Sequence, residues 1–187
     1  MCAGDLLNQC IGSAFALKDS KVPYFGLYGA CSTMAESLSL ASLLLDGGFA
    51  DHVCAMTGSH FCSAERQFRL PLEYGGQRTP TSQWTVTGSG AVILGNNASG
   101  PQVTHVTIGS ITDAGITDAN NMGAAMAPAA ASTLLHYFRD TNTEPQEFDC
   151  IYTGDLGQVG SQLLRELLAA EGFLLKNHVC LLYTSDA

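Results

Sequence analysis

Tyr28-Gly29-Ala30-Cys31-Ser32-Thr33-Met34-Ala35-Glu36 is the stretch on which the fold turns. The aromatic run Pro23-Tyr24-Phe25-Gly26-Leu27-Tyr28 before it, bounded by Pro and Gly, predicts a short strand. Residues 33–45 after it predict a helix, with Met34, Leu38, Ala41 and Leu45 at helical spacing and Leu40, Leu43 and Leu44 on other faces, so the helix is expected to be buried nearly all round. Cys31 then falls on the turn between strand and helix. A thiol there, beside free backbone N–H groups and a helix N-terminus, stands where a fold can lower its pKa. The competing reading is a small structural cysteine buried in the core.

Working outward, Gly47-Gly48 ends the helix and residues 52–57 (His52-Val53-Cys54-Ala55-Met56-Thr57) form the next strand. Strand, helix and strand in that order, with a crossover of this length, predict parallel pairing. Upstream, a Gly4-Asp5 turn leads into a helix over residues 11–18. Downstream, residues 88–94 read as an apolar strand, 96–101 as a surface turn and 103–112 as an alternating strand; 113–126 read as a loop, and Pro128 opens a helix to about residue 139. Residues 148–153 are a further strand and 158–170 a further helix. Ala3-Gly4-Asp5-Leu6 and Thr153-Gly154-Asp155-Leu156 each follow a short apolar run and precede a helix, which points to a duplicated unit rather than a solenoid.

The chain is long enough, at 187 residues with 46% hydrophobic content, to bury a sizeable core. Only 13% of residues are charged, which suits a surface partly covered by neighbouring protein. A net charge of −9, with 8 basic residues spread singly, excludes a stripe that neutralises a phosphate backbone, and nucleic acid with it. Seven cysteines without a C-x-x-C pair or metal-ligand spacing read as reduced thiols of a cytosolic protein, with no metal and no cofactor expected. No apolar run reaches bilayer length.

Residues 61–87 break the pattern as a polar and aromatic insertion carrying Arg66, Arg69, Arg78, Tyr74 and the single tryptophan, Trp84. Such a segment is a binding surface or an oligomer contact. Its arginines reach a ligand or pair with Glu65 and Glu73. Gly88-x-Gly90 has no following helix and is weak as a phosphate cradle. His60 follows a strand end near the Cys31 turn and is a candidate pocket residue; His52, His105, His136 and His178 fall on strand edges or helix surfaces and are assigned no role.

Gly29-Ala30-Cys31-Ser32-Thr33, taken with Gly47-Gly48-Phe49-Ala50-Asp51, Ser59-His60, Ala64-Glu65-Arg66-Gln67-Phe68-Arg69, Gly75-Gly76-Gln77-Arg78 and Gln83-Trp84-Thr85-Val86-Thr87-Gly88, resembles the stage V sporulation protein AD family. Met126-Ala127-Pro128-Ala129-Ala130-Ala131 and Thr153-Gly154-Asp155-Leu156-Gly157 extend the resemblance over roughly residues 2 to 176. It implies an α/β, thiolase-like fold with layered helices around mixed sheets and two pseudo-repeated halves, the second truncated: residues 1–100 as the first half, with 61–87 inserted, and 101–176 as the start of the second. Residues 177–187 are expected to lie outside the family, the last eight matching the in-frame product of a transposon-type sequencing adapter, and the chain is expected to be a piece of a longer protein.

The resemblance further implies a role in endospore formation: binding dipicolinic acid, free or as its calcium chelate, within a complex at the spore inner membrane that takes it up with calcium. The protein is then cytoplasmic, peripheral to that membrane, and a homodimer. A flat aromatic dicarboxylate needs cationic forks or N–H donors and an apolar wall. Arg66, Arg69 and Arg78 are the cations, Tyr74 and Trp84 the faces, and Cys31 and His60 line the pocket. In thiolase-like enzymes, by contrast, a cysteine at the position of Cys31 accepts an acyl group. Both readings, a binding protein and an acyltransferase, stand at this point.

Overall fold

The computed structural model describes residues 1–68, 85–97, 99–118 and 120–180. Its elements in chain order are β1 (Cys2–Asp5), α1 (Ile11–Leu17), β2 (Phe25–Leu27), α2 (Thr33–Asp46), β3 (His52–Ser59), α3 (Phe61–Phe68), β4 (Gly88–Gly95), α4 (Met122–Thr141), β5 (Ile151–Thr153), α5 (Gly157–Ala170) and β6 (His178–Cys180). They divide into two compact units, with the break between residues 106 and 107.

In the first unit a four-stranded mixed sheet runs in the order β2-β1-β3-β4, with β1 parallel to both neighbours and β4 antiparallel to β3. The crossover through α2 thus makes the parallel connection that the β2-α2-β3 pattern predicts. Against one sheet face α2 lays a stripe of Thr33, Ser37, Ala41 and Leu45, one residue per turn. Ala41 and Leu45 pack with Cys2, Val53 and Ala55 into an apolar core. The expectation of burial all round does not hold: Leu43 is half-exposed, because the helix has one sheet to cover and small residues let it sit close. Ser37 at the interface satisfies its hydroxyl on the Thr33 and Met56 carbonyls, at 2.7 and 3.2 Å.

The second unit holds α4, α5 and the parallel pair β5-β6. Its core joins Ala127, Ala131, Leu156, Leu164, Leu168, Leu175 and Cys180. The Phe138 and Phe173 rings stack at 5.3 Å beside it. Two local expectations are corrected here. α4 starts at Met122, capped by the Asn121 side chain accepting from the Ala124 N–H at 3.3 Å, so Pro128 lies inside the helix instead of opening it. Residues 103–112 form no strand: Ile108 and Ile111 point to solvent, and alternation makes a strand only where a neighbour completes the ladder.

Residues 61–87, expected as one inserted loop, begin as a helix: α3, whose first turn is closed by the Ala64 N–H on the His60 carbonyl at 3.0 Å. The Phe61 N–H is met by the Thr87 hydroxyl at 2.9 Å. β6 reaches Cys180, so residues 178–180 of the segment set apart as a tail are paired in the second unit.

Candidate functional site

The Cys31 turn is a single 3-10 turn, Ala30–Ser32, between β2 and α2. It is fastened by its own hydroxyls. Ser32 donates to the Gly29 carbonyl at 2.8 Å, and Thr33 donates to the Ala30 carbonyl at 2.8 Å while accepting from the Gly29 N–H at 3.2 Å. Ala30 is held at φ 49°, in a region that costs a residue with a Cβ energy, directly before the cysteine. The outcome for Cys31 is exposure at the head of α2, which removes the buried-core reading. Cys2 and Cys10 are the buried thiols of this unit, and burial pushes both up from the usual cysteine value. Cys10 donates instead to the Leu27 carbonyl at 2.7 Å. Cys31 and Cys62 are therefore the exposed thiols of the unit.

A cleft of about 580 Å³ opens in the first unit where β1 and β3 end, with α1 along one side. Ile11, Phe15 and Met56 give it apolar walls, and Asp5, Ser59 and His60 bring polar groups. Its size and composition are those of a small-molecule site. Asp5 is 4% exposed. One of its oxygens, Oδ2, accepts from both the Ser13 N–H and the Ser13 hydroxyl, at 3.0 and 2.9 Å, tying the end of β1 to α1. The other, Oδ1, has no hydrogen-bond partner among the described residues, and neither does the buried Ser59 hydroxyl.

Of the residues singled out from sequence, His60 lies on this cleft, while Cys31 and Arg66 are not among the described residues that line it. Arg66 is exposed in the last turn of α3. Arg69, Tyr74, Arg78 and Trp84 lie outside the described residues. Asp5, in the Gly4-Asp5 turn of the repeat, lines the cleft without being among the residues singled out from sequence; a carboxylate at a strand end before a helix is the signal the sequence offers.

His178, expected on a strand edge or helix surface and assigned no role, begins β6 and is buried in the second unit, 5% exposed. Its Nδ1 meets the Ser161 hydroxyl at 3.1 Å and its Nε2 the Thr153 hydroxyl at 2.8 Å, with the Cys180 thiol 3.9 Å away. Burial, and then the charge of Arg165, push its pKa below the ordinary histidine value. Sealed among hydroxyls, it holds β6 to β5 and α5; it is not open to substrate. Among the described residues no cluster of three or more His, Cys, Asp or Glu is placed to hold a metal ion, and no helix is long and apolar enough to cross a membrane.

With this geometry in view, comparison with known proteins places the fold. The family model for stage V sporulation protein AD matches residues 1–183. The chain belongs to that family. It is 46% identical over 188 aligned positions to stage V sporulation protein AD of Bacillus subtilis (strain 168), covering 98% of this chain and 56% of that relative, so it spans little more than half of the relative's length. The family match includes residues 177–183 of the segment that the sequence reading set apart.

Among solved structures, the chain resembles 3-oxoacyl-(acyl carrier protein) synthase III from Pseudomonas aeruginosa PAO1, at TM-score 0.59 and 11% identity over 95% of this chain and 59% of that one. It also resembles 3-oxoacyl-[acyl-carrier-protein] synthase III from Aquifex aeolicus VF5, at TM-score 0.56 and 11% identity over 96% and 60%. AbyA1, a tetronic acid condensing enzyme, gives TM-score 0.59 and 16% identity over 100% and 64%. At such identities these show the fold alone: the chain has a thiolase-like fold, with helices packed on a mixed sheet.

Proposed function

We propose that the full-length protein acts in endospore formation by binding dipicolinic acid and taking part in its uptake, with calcium, into the developing spore. The observation that carries this reading is the 46% identity to the Bacillus subtilis stage V sporulation protein AD. The ligand's carboxylates need donors and its ring an apolar wall; Arg66, Arg69 and Arg78, with the head of α2 behind Cys31, are the chain's candidates for the first, and Trp84 for the second. His60 is a further candidate contact. The protein works on this account at the spore inner membrane with the other proteins of the uptake complex, as a homodimer. Support for self-association is the outer edge of β4, an edge strand that leaves Val92 and Ile93 exposed. The test is dipicolinate titration of the full-length protein by calorimetry, with Cys31→Ala and Arg78→Ala variants. The unmutated protein is expected to bind, Arg78→Ala to bind at least tenfold more weakly and Cys31→Ala nearly normally; absence of binding by the unmutated protein overturns the reading.

A second reading, acyl transfer by Cys31, is favoured by one observation: the thiol is exposed on a strained turn at a helix head. In that chemistry the thiolate attacks a thioester carbonyl, the acyl group moves to Sγ and the donor's thiolate leaves. Intact-mass measurement after incubation with an acyl-CoA separates the two, since an adduct lost in Cys31→Ala is required by the enzyme and absent from the binding protein.

A further inference from the structure

Gln67, in the last turn of α3, joins three parts of the first unit that are distant in sequence. Its Oε1 accepts from the Asn8 N–H at 2.7 Å, just beyond β1, and its Nε2 donates to the Tyr28 hydroxyl at 2.8 Å, three residues before Cys31. The chemistry allows one orientation: a backbone N–H only donates, so the amide oxygen faces Asn8 and the NH2 group is left for Tyr28. What the amide holds is strained on both sides. Beyond Asn8, Gln9 and Cys10 stand at φ 60° and 55°; beyond Tyr28, Ala30 stands at φ 49°. These are left-handed values that a residue with a Cβ keeps only where its surroundings hold it.

The hydroxyl bonds that fasten the Cys31 turn run between Gly29 and Thr33 and stay inside it. Its entry is tied to other elements by the Cys10 thiol on the Leu27 carbonyl and by Gln67 on Tyr28. Gln67 is no core residue. On α3 it is Ala64 and Glu65 that are buried, with Glu65 accepting from the Thr85 hydroxyl at 2.8 Å, while Gln67 is half-buried and both its contacts are open to water. Hydrogen bonds so placed add little to global stability, so removing them leaves the unit folded and frees the turn they steady. The front of α3 keeps a separate anchor, the Thr87 hydroxyl on the Phe61 N–H at 2.9 Å.

We infer that Gln67 is a positioning residue for Cys31, its amide pinning Tyr28 and the Asn8 turn so that the strained backbone leading to the thiol keeps one conformation. The assignment applies whether that thiol lines a ligand pocket or takes an acyl group, and it holds or fails apart from both readings. Peptide-resolved iodoacetamide labelling of the full-length protein tests it. Gln67→Met, of similar length but without the amide, and Tyr28→Phe, which loses only the hydroxyl, should each speed Cys31 alkylation about threefold or more, the opening expected on losing an exposed hydrogen bond. The double variant should match Gln67→Met, because both changes cut the same link. Gln67→Glu should restore the parent rate, its carboxylate accepting from both the Asn8 N–H and the Tyr28 hydroxyl. Cys62, beside the anchored front of α3, should keep its rate in every variant. Unchanged Cys31 labelling in either single variant, multiplied effects in the double variant, no rescue by Gln67→Glu, or an equal rise at Cys62 overturns the inference.

Discussion

Gly4-Asp5 and Gly154-Asp155 are the same pair of residues at the same kind of place, a strand end leading to a helix, and the molecule uses them differently. Gly4 sits in β1, a central strand with β2 on one side and β3 on the other, and a Cβ there would overlap the Leu27 carbonyl oxygen and press on the Thr33 methyl. Gly154 follows β5, which has β6 beside it, and a Cβ there would meet nothing within 4 Å. Asp5 is buried and reaches across to Ser13 on α1; Asp155 is half-buried and accepts from the N–H of Gly157, two residues on, at 3.0 Å. Repeated residues keep their local turn, but their burden depends on how many elements close over them.

Exchanging the two glycines for alanine puts the contrast to its strongest test. Gly4→Ala should destabilise the first unit by about 3 kcal/mol through overpacking against backbone, whereas Gly154→Ala should stay within about 0.5 kcal/mol. Denaturant melts of the two variants read this directly, and equal effects would break the comparison. Gly160→Ala comes next: its Cβ would lie 2.8 Å from the Gly123 backbone where α5 meets α4, and a loss of about 2 kcal/mol is expected in the second unit.

The two carboxylates should differ less. Asp5→Ala leaves the buried Ser13 N–H and hydroxyl without an acceptor and should cost about 2 kcal/mol, against about 1 kcal/mol for Asp155→Ala, which removes a turn-capping acceptor.

A pH titration sharpens the comparison from the second unit's side. His178 is held below its ordinary value of 6.5 when folded, so the unfolded chain binds the proton more readily. Its contribution is therefore complete above about pH 6.5 and is lost as the pH falls through that value toward the lowered one. Stability followed by near-ultraviolet circular dichroism should show this acid limb, and His178→Gln should flatten it. The smallest effect is kinetic: maleimide should label Cys31 and Cys62 well before Cys2, Cys10 and Cys180, with no change in stability.

Much of the first unit was legible because its signals are local. Pro23 and Gly29 bound the run that holds β2, Gly47 and Gly48 stop α2, and the length of the crossover calls for a parallel neighbour, which β3 supplies through β1. The errors came where a local signal needed a partner. The alternation of residues 103–112 found no strand to pair with. Pro128, a good first-turn residue, was overtaken by the Asn121 cap one turn and more upstream. His178 does stand on a strand, β6, but nothing near it in sequence announces its burial between Ser161 and Thr153, which come from α5 and β5. Asp5 stands in a turn that the sequence marks, but nothing local shows that the fold buries it and leaves one of its oxygens without a partner among the described residues.

The sequence by itself determined the family, the α/β class and the placing of Cys31 on the turn before α2, since motif order, residue spacing and the Pro and Gly stops are properties of the chain. Only the tertiary structure decided that Cys31 faces solvent, that His178 is sealed among hydroxyls and that Asp5 lines a cleft with one oxygen unspent. Burial and hydrogen-bond satisfaction are set by residues distant in sequence, and no local pattern encodes them.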